Sequence, residues 1–261
     1  IDVTIEEKEI LVQKGKIVKI ETIIEKNQYP NAEVIDATNC VIMPGLINTH
    51  AHIPMSLFRE STEGCKLYDW LENKIWPQED KLTEEDVYYA SMLSFIEMIS
   101  TGTTCINDQY FLQDAIRKAA EDMGVRAVLT RTVIGEKEEA EKRIAEFRKF
   151  YETRDKQNDL ITYTVAPHSL YTCSPEALQM TADLAKELNL PIHVHFLESV
   201  DEIEDIKQKQ GEKASKVLKK YFDGIHTILA HAVHLDDEDI AILKTMDCGI
   251  AHNPVSNLRL G

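Results

Sequence analysis

The sequence predicts an α/β fold in which a (β/α)8 TIM-type barrel follows a small N-terminal β subdomain. From residue 41 onward, short apolar runs alternate with amphipathic helical segments, which is the pattern of βα units and a parallel sheet. Polar side chains suited to chemistry follow each of these runs, and a barrel collects the C-terminal ends of its strands at one face. A doubly wound sheet would concentrate such residues at a single switch point instead.

Residues 1–40 are predicted to form the small β subdomain, and residues 41–261 are predicted to form the barrel. In the first part, apolar residues alternate in short runs, with Gly15 and Asn27 between them as turn residues, which favours short antiparallel strands. The second part offers seven strands and stops at Gly261, so the eighth strand of a barrel is not in this sequence. We expect the C-terminal part of the domain to be missing here.

The elements of the barrel follow one another in regular order. Strands are predicted at 41–48, 103–107, 125–132, 161–166, 191–197, 227–232 and 248–252. Helices are predicted at 67–76, 83–100, 111–123, 136–152, 174–188, 201–220 and 236–246. Thr83 and Ser174 are N-cap residue types, Pro175 suits a first helical position, and Gly124 is a typical helix stop. No glycine-rich phosphate-binding motif occurs, which disfavours nucleotide-phosphate folds.

The composition limits the partners that this protein can have. The net charge of −16 disfavours nucleic acid, because proteins that bind it carry basic patches. No apolar run approaches the roughly 18 residues of a membrane span, and residues 1–20 show no signal peptide. The five cysteines are scattered without a Cys-x-x-Cys pair, which predicts reduced thiols in a cytoplasmic protein. The sequence is compatible with a homo-oligomer.

The first barrel strand is followed by a possible pair of metal ligands. The apolar run that begins at Val41 closes with His50 and His52, spaced as His-x-His. In a strand, residues two apart point to the same side, so both imidazoles would face one point, as a metal requires. The alternative for this pair is two partly buried histidines in a polar loop.

Two later strand ends add candidate residues. His193 and His195 share one strand and one direction, and their spacing does not tell which of them binds a metal. Glu198 could carry a proton, or it could be the first acidic residue of the next helix. His231 could contact the attacking water, or it could be a rim histidine. Three imidazoles suit Zn²⁺ or Fe²⁺, and one ion is expected because residues 161–169 contain no lysine to bridge two.

Five motifs resemble those of the amidohydrolase superfamily, and within it the branch of 5-methylthioadenosine/S-adenosylhomocysteine deaminases. They are Pro44-Gly-Leu-Ile-Asn-Thr-His-Ala-His52, Ala166-Pro-His-Ser169, His195-Phe-Leu-Glu198, Ala230-His-Ala-Val-His234 and His252-Asn-Pro-Val-Ser-Asn257. They span nearly the whole chain in the family's order. The resemblance implies a metal-dependent hydrolase barrel with a β-sandwich built from both chain ends.

The resemblance also implies a reaction. His50, His52 and His195 would bind one Zn²⁺ per subunit, with Fe²⁺ as the alternative. Glu198 would move a proton from the attacking water to N1 of an adenine ring, and His231 would hold that water. The reaction is the hydrolytic deamination of an adenosine thioether or of adenosine, which gives ammonia and the inosine analogue.

Further residues would bind the nucleoside. By the resemblance, Glu79 would hold the ribose hydroxyls, His168 would lie near the ribose and the thio substituent, and Arg131 would pair with the homocysteine carboxylate. From the sequence alone, Glu79 and Arg131 could also be surface salt-bridge residues. The family's fourth ligand, an Asp after the eighth strand, is absent. A second carboxylate-binding arginine has only Arg143 as a weak candidate, which leaves methylthioadenosine and adenosine open.

Two alternatives stay open at this point. The same barrel could act on another heterocycle, as a guanine or cytosine deaminase or a triazine chlorohydrolase, although Glu79 favours a substrate with a ribose. A barrel that has lost its metal could instead serve as a binding module. The intact His-x-His pair, His195 and Glu198 are evidence against that second alternative.

Overall fold

The computed structural model describes residues 6–59 and 67–260. The chain splits into two compact units, Ile1–Pro44 and Gly45–Gly261. The predicted boundary after residue 40 falls just before this division, and the assignment of a β subdomain and a barrel domain stays a prediction.

The N-terminal unit contains one antiparallel hairpin. Strand β1 (Glu9–Gln13) pairs with β2 (Lys16–Glu21). Lys14 and Gly15 join them at φ 50° and 72°, and two left-handed residues match the right-handed twist of a hairpin. Gly15 is therefore the turn residue that the sequence predicts. Residues 1–5 lie outside the described part of the chain.

The second unit is built on seven parallel strands in chain order. They are β3 (Leu46–Ala51), β4 (Thr103–Asp108), β5 (Arg126–Leu129), β6 (Ile161–Tyr163), β7 (Ile192–Phe196), β8 (Thr227–His231) and β9 (Cys248–Ala251). Strands β3 to β6 form one sheet and β7 to β9 another. Parallel bridges from Val165 to Ile192 and from Ser169 to His195 continue the order between the sheets. The predicted α/β class with a parallel βα arrangement is confirmed.

Within residues 6–59 and 67–260, helices lie between these strands, and one more follows the last strand. They are α1 (Leu67–Trp70), α2 (Trp76–Glu79), α3 (Glu84–Ser100), α4 (Gln113–Met123), α5 (Lys137–Glu152), α6 (Pro175–Leu188), α7 (Asp201–Gln210), α8 (Ala214–Phe222), α9 (Asp237–Leu243) and α10 (Pro254–Leu260). Thr83 begins α3 in a capping box with Asp86, and Ser174 caps α6. Gly124 ends α4 at φ 67°. These three predicted helix boundaries are confirmed.

The first barrel strand begins later than predicted. Val41, Ile42 and Met43 lie before β3 and are exposed, whereas the sequence predicts a buried strand over 41–48. Pro44 has no N–H to donate to a strand ladder, which explains the late start. A Cβ on Gly45 would lie 2.0 Å from the Thr104 hydroxyl, so only glycine lets the chain enter the sheet here.

Two predicted helices differ from the structure. The segment predicted as one helix over 201–220 is two helices, because Gly211 at φ 79° ends α7 before α8 begins. The helical segment that starts at Leu67 reaches Glu79 through a π turn at Leu71–Ile75. Pro77, which follows that turn, cannot donate a backbone hydrogen bond, and such a residue locally widens or kinks a helix.

The core lies between the parallel strands and the helices around them. Its largest fully buried side chains include Phe95, Phe147, Phe150, Phe196 and Phe222. This packing fixes the strands and leaves their C-terminal ends to carry polar side chains. In the described segments, no helix is long and apolar enough to cross a membrane.

Candidate metal and catalytic site

Four histidines converge where three strands end. His50 lies in β3, His52 follows that strand directly, His195 lies in β7 and His231 ends β8. The ring of His50 is centred 4.7 Å from that of His195 and 5.2 Å from that of His231. The rings of His52 and His195 are 5.1 Å apart. Parallel strands deliver these side chains to one face because their C-terminal ends point the same way.

Backbone carbonyls set the proton positions on two of these rings. His52 Nδ1 lies 2.6 Å from the carbonyl oxygen of Gln109. His195 Nδ1 lies 2.8 Å from the carbonyl oxygen of His168. A carbonyl oxygen only accepts, so each Nδ1 carries a hydrogen and donates it. In a neutral ring, Nε2 is then an unprotonated lone pair, which is the form that binds a metal.

These two lone pairs face each other. His52 Nε2 lies 3.1 Å from His195 Nε2. Two unprotonated nitrogens at this distance repel each other unless a cation binds both. The separation suits two ligands of one tetrahedral ion, since zinc–nitrogen bonds are about 2.0–2.1 Å long. The donor set therefore fits a divalent metal ion.

His193 binds to His50 and not to the cluster as a whole. His50 Nδ1 lies 2.9 Å from His193 Nε2, which leaves Nε2 of His50 as its free nitrogen. Within residues 6–59 and 67–260, Nδ1 of His193 has no hydrogen-bond partner. The spacing leaves His193 and His195 equivalent, and the motif resemblance implies His195. In the structure, His195 presents Nε2 to Nε2 of His52, and His193 contacts His50.

His231 also lies within range of this centre. One nitrogen each from His50, His195 and His231 lies within 4.8 Å of the others, and all three side chains are buried. Burial lowers the pKa of His52 to about 4 and holds the pKa values of His50 and His195 well below their usual range. Neighbouring histidines also lower the pKa values of His50 and His195. The rings are therefore neutral at pH 7, as metal ligands must be.

A carboxyl group faces this cluster. Glu198 Oε1 lies 3.4 Å from Nε2 of His231. Burial, and to a smaller extent the charge of Glu202, raises the pKa of Glu198 to about 8. A carboxyl that titrates near neutral pH can both release and take up a proton during turnover. His231 Nδ1 lies 2.9 Å from Oδ1 of Asn257, and the amide oxygen accepts its hydrogen.

The turns that carry this pair have unusual backbone angles. Leu197, His231 and Ala232 have φ of 48°, 75° and 50°, in the left-handed region that non-glycine residues rarely adopt. The N–H of Ala232 donates to the carbonyl of Phe196 at 2.8 Å, and that of Val233 to the carbonyl of Leu197 at 3.0 Å. Such angles persist only where the surroundings impose them, and they cluster at functional sites.

Comparison with known proteins identifies the family. Residues 41–261 match the model of the amidohydrolase family. The chain belongs to the amidohydrolase family. The resemblance that the sequence motifs indicate is thereby confirmed, and the four histidines and Glu198 lie inside the matched region.

Two curated relatives and one solved structure show what this amidohydrolase is similar to. The 5'-deoxyadenosine deaminase of Methanocaldococcus jannaschii is 43% identical over 257 residues, which are 97% of this chain and 61% of that protein. The 5-methylthioadenosine/S-adenosylhomocysteine deaminase of Carboxydothermus hydrogenoformans is 45% identical over 258 residues, 97% of this chain and 59% of that protein. The zinc-bound adenosine deaminase of Xanthomonas campestris superposes with a TM-score of 0.82 at 26% identity, over 99% and 60% of the two chains. The chain spans about three fifths of the length of these proteins.

The predicted nucleoside-binding residues lie at different places around the amidohydrolase centre. The ring of His168 lies 4.7 Å from that of His195, and its Nδ1 is 2.9 Å from the Thr172 hydroxyl. Burial raises the pKa of Glu79, and the nearby Tyr110 hydroxyl partly offsets this effect. The ring of Tyr110 is centred 6.5 Å from that of His52.

The predicted carboxylate-binding arginine is already paired. Arg131 Nε donates to Glu146 at 2.7 Å, and its Nη1 donates to the carbonyl of Thr132 at 3.1 Å. Arg143 donates to Glu139 at 2.6 Å. Burial and the charge of Arg143 lower the pKa of Arg131. The role of Arg143 as a second carboxylate-binding arginine stays a prediction.

Two residues that support the site, Asp108 and Gln109, have no role assigned from the sequence. Asp108 Oδ1 accepts the backbone N–H of Ile53 at 2.6 Å and thereby holds the chain after His52. Burial raises the pKa of Asp108 to about 7. The sequence places Asp108 directly after a predicted strand, and this position could have indicated its role. The sequence gives no such indication for Gln109, because Gln109 acts through its backbone carbonyl.

Proposed function

We propose that this amidohydrolase deaminates adenosine nucleosides with an altered 5′ substituent, such as 5'-deoxyadenosine, methylthioadenosine or S-adenosylhomocysteine. Water replaces the 6-amino group, and ammonia and the inosine analogue are released. The relatives named for these reactions, at 43% and 45% identity, support the substrate class. The observation that carries the proposal is the buried Glu198 carboxyl 3.4 Å from His231, beside the histidine cluster.

We propose that one Zn²⁺ per chain is held by His50, His52 and His195, with Fe²⁺ as the alternative. The 3.1 Å between Nε2 of His52 and Nε2 of His195 supports this assignment. A divalent ion bound there supplies Lewis-acid activation of a water molecule near neutral pH. His50 contributes through the nitrogen that its bond to His193 leaves free.

The catalytic roles fall to Glu198 and His231. Glu198 takes a proton from the attacking water and delivers it to N1 of the adenine ring, and a pKa of about 8 lets it hold that proton in between. His231 orients the water, and the bond of its Nδ1 to Asn257 keeps its Nε2 directed at Glu198. A bond from the water oxygen to C6 forms, the second proton of the water moves to the amino nitrogen, the bond from C6 to that nitrogen breaks, and ammonia leaves. N1 keeps the first proton, and C6 becomes the carbonyl carbon of the inosine analogue.

Glu79 and His168 would hold the ribose side of the nucleoside. A carboxylate accepts two hydroxyl donors, which suits the 2′ and 3′ hydroxyls of ribose. Glu79 is half-buried, and the ring of Tyr110, whose hydroxyl affects the pKa of Glu79, is centred 6.5 Å from that of His52. His168 borders His195 directly, at 4.7 Å between ring centres. These positions support contact of both residues with a bound nucleoside.

Ammonia release by the complete, metal-loaded protein tests the proposed function. The panel is 5'-deoxyadenosine, methylthioadenosine, S-adenosylhomocysteine, adenosine, guanine and cytosine. We expect activity on the nucleosides and none on the free bases, because Glu79 binds ribose. Activity on guanine or cytosine alone would move the substrate to another heterocycle. A complete protein that binds no Zn²⁺ and releases no ammonia would be a binding module.

Arg131 is expected to select substrates by their 5′ substituent. Replacing it in Arg131→Ala should raise KM for S-adenosylhomocysteine about 10-fold or more, because a hydrogen bond to a charged group contributes about 1.5–3 kcal/mol. KM for methylthioadenosine, which has no carboxylate, should change less than about 2-fold on the same grounds. Steady-state kinetics on both substrates measure the difference.

A matched control lies on the same helix as the partner of Arg131. Arg148 is bound to Glu187 by two hydrogen bonds at 2.5 and 2.6 Å, and the pair is exposed. Arg148→Ala should leave both KM values unchanged. Equal changes for the two substrates in Arg131→Ala would remove the role assigned to Arg131.

A further inference from the structure

Glu202 is a buried acid next to the proposed proton carrier. It lies in the first turn of α7, and its side chain is 1% exposed. Its Oε1 accepts the backbone N–H of Glu198 and that of Ser199, each at 3.0 Å. Its other oxygen, Oε2, has no hydrogen-bond partner among the residues that the structure describes. Burying a carboxyl group in the protein interior costs free energy, and these two hydrogen bonds offset part of that cost.

The two hydrogen bonds that Glu202 accepts come from the turn before the helix and not from the helix itself. An acid in a first turn commonly caps the free N–H groups at the start of its own helix. Val200 is the N-cap position of α7, and it makes no side-chain cap bond. The N–H groups of Glu198 and Ser199 precede that position. Glu202 therefore fastens the backbone that carries the Glu198 side chain.

That backbone needs support. Leu197, the residue before Glu198, has φ of 48°, which is unfavourable for a residue with a Cβ. On one side, the carbonyl of Leu197 accepts from the N–H groups of Val233 at 3.0 Å and His234 at 3.2 Å. On the other side, the only side-chain bonds to the turn in the described segments come from Glu202. The turn is thus held between β8 and α7.

We propose that Glu202 is a positioning residue that fixes the turn at Leu197–Glu198, so that the Glu198 carboxyl faces His231. The catalytic consequence rests on the proposed function, whereas the effect on the backbone does not. Burial raises the pKa of Glu202 to about 7, so its neutral form is populated near neutral pH. A glutamine at this position copies the neutral form and keeps the accepting oxygen.

Amide hydrogen exchange tests the backbone effect. In Glu202→Ala, the complete metal-loaded protein should exchange the amides of Glu198 and Ser199 at least about 10-fold faster, because both lose their acceptor. In Glu202→Gln, exchange should stay within about 3-fold of the wild type, since the amide oxygen still accepts. Glu204→Ala is the matched control: Glu204 is an exposed acid of the same helix, bonded to Gln208.

Kinetics test the positioning effect separately. Glu202→Ala should lower kcat about 10- to 100-fold with KM and metal content unchanged, because small misplacement of a catalytic group has effects of this size. Glu202→Gln should keep kcat within about 3-fold. A purely structural role would lower the melting temperature without this separation of kcat from KM and without rescue by glutamine.

The results that would overturn the role of Glu202 differ from those that would refute the proposed function. Unchanged exchange in Glu202→Ala, or a glutamine variant as impaired as the alanine variant, would overturn the proposal. If the alanine variant does not fold, Glu202→Asp replaces it: the shortened acid cannot reach both N–H groups and should behave as alanine does. A wild-type protein that deaminates no nucleoside would refute the proposed function instead, and the exchange result would still decide the role of Glu202.

Discussion

Replacing Glu198 by glutamine is expected to lower kcat by about 10²- to 10⁴-fold, the usual contribution of a general acid–base group. The Glu198 carboxyl lies 3.4 Å from Nε2 of His231 and has a pKa of about 8, so it can hold and release a proton at neutral pH. Glutamine keeps the shape of the side chain and cannot transfer a proton. Its amide is not among the proposed metal ligands, so the metal content should stay at one ion per chain.

Ammonia release and elemental analysis of the same preparation measure both parts of this expectation. Glu204→Gln is the matched control, because Glu204 is an exposed acid on α7 that bonds only to Gln208 among the described contacts. Unchanged turnover in Glu198→Gln would show that another group moves the proton. Loss of the metal in this variant would instead assign Glu198 to the ligand set.

Replacing His195 by alanine is expected to abolish metal binding and, with it, activity. His195 Nε2 is 3.1 Å from His52 Nε2, and the bond of its Nδ1 to the His168 carbonyl holds the ring in place. Loss of an outer partner of a ligand weakens metal affinity about 10- to 100-fold, and loss of the ligand itself should exceed that. The wild-type protein should also unfold at a higher temperature with Zn²⁺ than without, by mass action, and the variant should lose this difference.

His226→Ala provides the control for this experiment. His226 immediately precedes β8, is exposed, and bonds to Asp247 at 3.0 Å, away from the cluster. The His226→Ala variant should keep both the metal and the zinc-dependent rise in melting temperature. Full zinc content in His195→Ala would show that His50, His52 and His231 suffice to bind the ion, and His231 would then be a ligand.

The order of strands and helices could be predicted because its signals are local. Thr83 and Ser174 cap their helices, and Gly124 stops one, through bonds that span only a few residues. Predictions failed where one residue outweighed the hydrophobic pattern. Pro44 delays the first barrel strand, and Gly211 divides a helix that the pattern shows as continuous.

Which of His193 and His195 faces the histidine cluster does not follow from their spacing, and the tertiary structure gives the two rings different partners. Both lie in one strand with the same direction, so their spacing carries no distinction. The carbonyl of His168 orients His195 toward the cluster, and His193 meets His50 instead. The parallel pairing of Ser169 with His195 brings that carbonyl close, and pairing register is a property of two segments rather than of one.

The sequence by itself determined which residue types end the strands: the histidines and the acid that a hydrolytic metal site uses. It did so because each strand delivers its next residues to the same face, whatever the details of packing. Only the tertiary structure decided the partners of those residues. The proton positions on His52 and His195 depend on backbone carbonyls, and the turn at Glu198 depends on Glu202 and β8. Every residue carries a backbone carbonyl, and every residue except proline carries an N–H, so bonds to these groups leave no mark in the sequence.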